Sequence, residues 1–73
     1  MLFKNIKNQK LYTLVDVGLN VKNPSNKYVI YRQLYDSTLH GTDTKLPYGS
    51  IWIRDHDDFL IKFIEVLPKI MHK

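Results

Sequence analysis

The sequence predicts a small, mainly β domain: a strongly bent antiparallel sheet of about five strands with one short helical turn. Three features point there. Residues alternate in type from Leu11 to Val21, aromatic and branched side chains crowd KYVIYRQLY at 27 to 35, and Gly, Pro and Asn fall between the apolar runs. A chain of 73 residues makes one domain near the lower size limit for burying a core, and without cysteine its stability must come from packing or from a partner subunit.

The elements follow in order. Leu2 to Lys7 is a weak first strand. From Leu11 to Val21 the odd positions read Leu, Thr, Val, Val, Leu, Val, and the even ones include Tyr12, Leu14, Asp16, Gly18 and Asn20, the mark of a half-buried strand. Gly18 in its interior predicts a bulge or bend that lets a small sheet curl toward a barrel. Asn23-Pro24-Ser25-Asn26 has turn chemistry, and Lys27 to Tyr35 reads as a central strand antiparallel to the one before. Asp36 to Gly49 has no sustained period and reads as a long loop, a type that tends to be functional or mobile. Ser50 to Arg54 is a short strand with Ile51 and Ile53 on one face and Trp52 and Arg54 on the other. The spacing then favours one helical turn over Asp55 to Phe59, capped by Asp55, and a strand to about Val66. A longer helix stays open, because Phe59, Phe63 and Leu67 recur every four residues. Pro68 stops either element, leaving 67–73 as a tail.

Composition narrows the function classes. Hydrophobic residues at 44% and charged residues at 25% place the chain among folded globular proteins, not disordered ones. No apolar run approaches the ~18 residues that span a bilayer, and the start lacks the apolar centre of a secretory signal, so the expected location is cytoplasmic. The net charge of +4 is uneven: residues 1 to 35 carry six Lys or Arg against Asp16, and the rest carry five against six acids. Such asymmetry suits phosphate contact, and equally a solvated lysine-rich surface.

For chemistry, Asp55, His56, Asp57 and Asp58 are of metal-binding types, but four consecutive residues cannot converge on one ion. A metal or hydrolytic site near His56 would need His40 from the long loop, and no serine sits in a nucleophile context. The expectation is therefore a non-enzyme without metal or cofactor, with the acidic run acting as cap and first helical turn. The binding residues expected are Trp52, Arg54, Tyr28 and Arg32, cations beside stacking surfaces, with Tyr48 at the loop exit. In so small a domain, however, Trp52, Tyr31 and Phe59 are favoured as the core itself, with Arg54 lying along Trp52 or paired with Asp57 or Asp58. The expected partner is a protein or peptide ligand; single-stranded nucleic acid is the alternative, and a homodimer through strand edges a further expectation.

Phe3, Lys7, Tyr12, VIYRQLY at 29 to 35, IWIR at 51 to 54 and Phe59, in this order and spacing, resemble the bacterial domain of unknown function DUF1653 over roughly residues 3 to 66. The resemblance implies a bent sheet or SH3-like barrel and supplies no catalytic residues. This chain has Asn5 and Asn20 where that family usually has histidines, Asn8 in place of a glycine, Asp55 in place of a proline, and a longer loop before IWIR.

Overall fold

A computed structural model describes residues 1–67; the expected stop at Pro68 and the remainder of the tail lie outside them. The chain forms β1 (Leu2–Asn5), β2 (Leu11–Asn20), β3 (Asn23–Gln33), β4 (Ser37–Thr38), β5 (Lys45–Leu46), β6 (Ile51–Asp55), α1 (His56–Lys62) and β7 (Phe63–Glu65). Five strands make one antiparallel sheet in the order β6-β3-β2-β1-β7, and β4 pairs with β5 as a small separate hairpin inside the expected loop. The sheet is open, so of the two architectures expected the bent sheet is found and the closed barrel is not.

The bulge lies at Val15 and not at Gly18. Leu14 pairs with Tyr31 and Asp16 with Ile30, so Val15 is the extra residue, and the Asp16 carboxylate accepts from the Val17 N–H at 2.7 Å. Gly18 sits in regular register opposite Tyr28. Because side chains alternate with period two, one inserted residue exchanges the faces. Before the bulge the even residues Tyr12 and Leu14 share a face with Gln33 and Tyr31; after it the odd residues Val17 and Leu19 share that face with Val29 and Lys27. The odd apolar series is thus split between the two faces of the sheet.

The turn also falls earlier than expected, at Val21-Lys22, where the Asn20 carboxamide oxygen accepts from the N–H groups of Lys22 (2.8 Å) and Asn23 (3.2 Å). Pro24, Ser25 and Asn26 belong to β3 but have no partner on β2.

The face carrying Tyr12, Val29 and Tyr31, called inner here, is covered by α1 and β7. Asp55 caps α1 by accepting from the Asp58 N–H, and Asp57 and Asp58 follow in the first turn. The helix is longer than the single turn expected, and its Phe59, 2% exposed, stacks on Phe63 with centroids 4.2 Å apart. Phe3, Tyr12 and Tyr31 complete a core of aromatic rings in mostly edge-to-face contact. Rings supply large buried areas from few residues, which suits a chain this short. The other, outer face carries Ile30, Arg32, Ile51 and Ile53, and both isoleucines of β6 are exposed.

Candidate functional site

An open cleft of about 190 Å³ lies on the inner face beside the aromatic core, walled by Tyr12, Tyr31, Tyr35, Trp52 and Phe63. Gln33, Leu46, Arg54, Asn5 and Asn8 complete its lining. The pairing of β3 with β6 sets Trp52 opposite Tyr31 and Arg54 opposite Val29, which turns both β6 side chains inward.

Gln33 is 1% exposed and its carboxamide is fully engaged. Its Nε2 donates to the carbonyls of Tyr35 (2.8 Å) and Leu46 (2.7 Å), and its Oε1 accepts from the Trp52 indole N–H at 3.0 Å. One buried amide thus orients the tryptophan and ties down the C-terminal side of the 36–49 segment. On the opposite wall the Tyr12 and Tyr35 hydroxyls bond to one another, and Asn8 Nδ2 donates to the Tyr12 hydroxyl at 3.2 Å. Burial and the bond with Tyr12 push the Tyr35 phenol well above its ordinary value, so the Tyr35 hydroxyl is neutral at physiological pH.

Arg54 is held at three points. Its Nε donates to the Tyr31 hydroxyl at 3.3 Å, its Nη1 to Asp58 Oδ2 at 2.7 Å, and its guanidinium lies 5.5 Å from the Phe63 ring centroid. The Tyr31 and Asp58 bonds raise its pKa further, while Arg54, and secondarily Lys62 at 3.3 Å, lower that of Asp58. A second hollow, about 480 Å³, shares Asn5 and Arg54 with the cleft and adds Ile6, Lys7, Ile61 and Lys62. Lys10 reaches over the Tyr35 ring on the other side, 5.6 Å from its centroid. The combined surface therefore brings four cations, Lys7, Lys10, Arg54 and Lys62, around aromatic rings, against the single carboxylate of Asp58.

Of the binding residues expected from sequence, the structure brings Trp52 and Arg54 together. Tyr28 and Arg32 face the other way: Tyr28 pairs with Gly18 and Asp55, its hydroxyl accepts from Asn20 Nδ2 at 3.0 Å, and Arg32 pairs with Thr13 and Ile51 on the outer face. The four cannot act as one surface. Trp52 is half-buried, packed against the core on one side and lining the cleft on the other. Tyr31 and Phe59 are core. Tyr48 is exposed and does not line the cleft.

His56 lines a different hollow with Ser25, Asn26, Lys27, Asp55 and Asp57, and His40 is not part of it. Its Nδ1 lies 3.1 Å from Asp57 Oδ1. Among the described residues no three His, Asp or Glu side chains gather to hold a metal ion, and the Lys27 ammonium at this hollow opposes a cation.

Reasoning from sequence missed Gln33, Tyr35, Tyr12 and the two asparagines as parts of a site. For Gln33 the signal was present: it occupies the same parity as Val29 and Tyr31 in an aromatic strand, where an amide must find partners if buried. Comparison with known proteins returns no match: neither a family model, nor a curated protein, nor a solved structure matches the chain.

Proposed function

We propose that this domain is a non-catalytic binding module that takes an acidic peptide segment bearing an aromatic side chain. The observation supporting it most directly is the continuity of the Trp52 cleft with the cationic hollow around Arg54. A cleft of about 190 Å³ is smaller than the pockets that hold whole drug-sized ligands, and suits a single inserted side chain. An aromatic ring fits the rings of Tyr12, Tyr31 and Trp52, and carboxylates flanking it in the ligand would meet Lys7, Lys10 and Lys62. The cleft's lining contains no carboxylate, histidine, serine or lysine, and its phenols are engaged, Tyr12 with Tyr35 and Tyr31 with Arg54, which counts against hydrolytic chemistry there.

Single-stranded nucleic acid fits less well. Tyr28 and Arg32 lie on the outer face, away from Trp52 and Arg54, and Lys22 and Lys27 lie out on the β2–β3 hairpin, away from the aromatic cleft.

Trp52, the one tryptophan, sits in the cleft and reports on it. Titration with a short Glu-rich peptide containing tyrosine should shift and quench its fluorescence saturably. The Lys-rich counterpart should leave it unchanged, and Lys7→Gln should weaken the response without loss of fold. Tighter, salt-dependent binding of a short oligonucleotide than of the acidic peptide would replace this reading with the nucleic-acid one.

A further inference from the structure

β6 lies at the edge of the sheet, and among the described residues it pairs with β3 alone. Its register fixes which backbone groups stay open. Gln33 donates its N–H to the Ser50 carbonyl at 2.9 Å and its carbonyl accepts from the Gly49 N–H at 2.8 Å, with Gly49 at φ 93° forming a one-residue bulge where the two strands meet. Pairs along an antiparallel ladder alternate between hydrogen-bonded and open. Counted from Gln33, Trp52 and Arg54 bond to Tyr31 and Val29, and Ile51 and Ile53 direct their N–H and C=O groups to the free side. The side chains follow the same parity. Ile51 and Ile53 are 49% and 68% exposed on the outer face, and Trp52 and Arg54 stand on the inner face at the cleft.

We infer that the acidic, aromatic-bearing peptide of the proposed function, on which this step rests, is held as an added strand along β6, antiparallel to it, in the order acidic, apolar, aromatic, apolar. Directly opposed residues of neighbouring strands share a face. A residue opposite Trp52 therefore places its ring beside the indole at the cleft, and the residue two before it places a carboxylate beside Arg54, where Arg54 and Lys62 share the carboxylate of Asp58. The residues opposite Ile53 and Ile51 lie on the outer face and cover the exposed isoleucines. Antiparallel pairing continues the direction of every other pair in the sheet. The opposite edge, β7, is a poorer host: its Phe63 N–H already bonds to the Phe59 carbonyl, and Glu65 would repel an acidic ligand. A second copy is a poorer occupant, since pairing β6 with itself about Ile53 sets Ile51 against Asp55 and brings a second Arg54 to a cationic site.

The probe is a capped peptide containing Glu-Val-Tyr-Val, titrated against the chain and read by Trp52 fluorescence. Methyl groups on the two valine amides, which face β6, should weaken binding roughly tenfold or more, whereas methyl groups on the Glu and Tyr amides, which face away, should leave it within about twofold. In the protein, Ile53→Pro deletes an open donor and no bond to β3, so circular dichroism should be retained while binding falls by a similar factor. Ile53→Val should bind as the parent chain does. Should Ile53→Pro unfold, the methylated peptides decide alone, since they act on the unaltered chain. Equal binding of the two methylated peptides overturns the added strand and leaves the acidic, aromatic reading standing. An unmodified peptide that leaves Trp52 fluorescence unchanged overturns both. A chain that sediments as a dimer and becomes monomeric on Ile53→Pro puts a second copy on this edge and overturns the peptide strand.

Discussion

The β2–β3 ladder passes through two environments. In its first half Tyr12, Leu14 and Tyr31 meet Phe59 and Phe63 from the segment after β6, and the inner face is dry. In its second half Val29 is still buried, but on the same inner side Val17 and Leu19 of β2 grow progressively exposed toward the hairpin tip, the arm. Hydrogen bonding is continuous across both halves and the apolar character is similar, so neither explains the difference. Coverage does: α1 and β7 bury the inner face as far as Val29 and leave Leu19, beyond it, exposed. A β pattern specifies which side chains share a face, and a separate element decides whether that face is buried.

The sharpest way to break this contrast is to truncate one apolar side chain in each half. Phe59→Ala should cost about 3–5 kcal/mol, enough to unfold much of a domain this small, whereas Leu19→Ala in dilute solution should stay within about 0.5 kcal/mol. Urea denaturation followed by circular dichroism measures both, and equal losses would show that the arm is as integrated as the core. Next in size, Gln33→Leu strips partners from the Trp52 indole N–H and the carbonyls of Tyr35 and Leu46, at about 1–3 kcal/mol. Hydrogen exchange should quicken around Leu46 and leave the arm unchanged. Asp55→Ala removes the cap of the covering helix and should cost about 1 kcal/mol, again with no change in arm exchange.

The smallest effects are in pH. Asp58 has its carboxyl lowered in the folded state by Arg54, so its contribution is present above its ordinary 3.8 and is lost as pH falls toward the folded value. Asp58→Asn should flatten the acid limb of the stability profile. Tyr35 behaves oppositely: its folded pKa is raised, so its contribution holds below its ordinary 10.0 and declines as pH rises beyond that. Tyr35→Phe should remove that alkaline decline. Neither change concerns the arm, which carries neither group.

Much of this architecture is readable from residue order alone. The Asp55 cap, the alternation of Ile51 and Ile53 against Trp52 and Arg54, and the aromatic strand depend on near neighbours; the first two are found as expected, and the strand expected at 27 to 35 is found shifted, as Asn23–Gln33. What was misplaced depends on distant partners. A bulge is a mismatch between two strands, so Val15 could not announce it and Gly18, the more permissive residue, drew the prediction instead. Trp52 and Arg54 were found as a pair because they lie two apart on one strand. Gln33 was missed as the link from Trp52 to the 36–49 segment because the carbonyl it meets belongs to Leu46, thirteen residues away.

The bulge at Val15 decides which side of the sheet the outer half of β2 presents. Drawing Val15 into the regular ladder opposite Ile30 would leave composition and charge untouched yet bring Asp16, Gly18 and Asn20 to the inner side and send Val17 and Leu19 outward. Deleting Val15 would instead close the bulge and keep Val17 and Leu19 where they are. The face taken by this exposed apolar pair is thus inherited as a frame of alternation more than as a set of side chains.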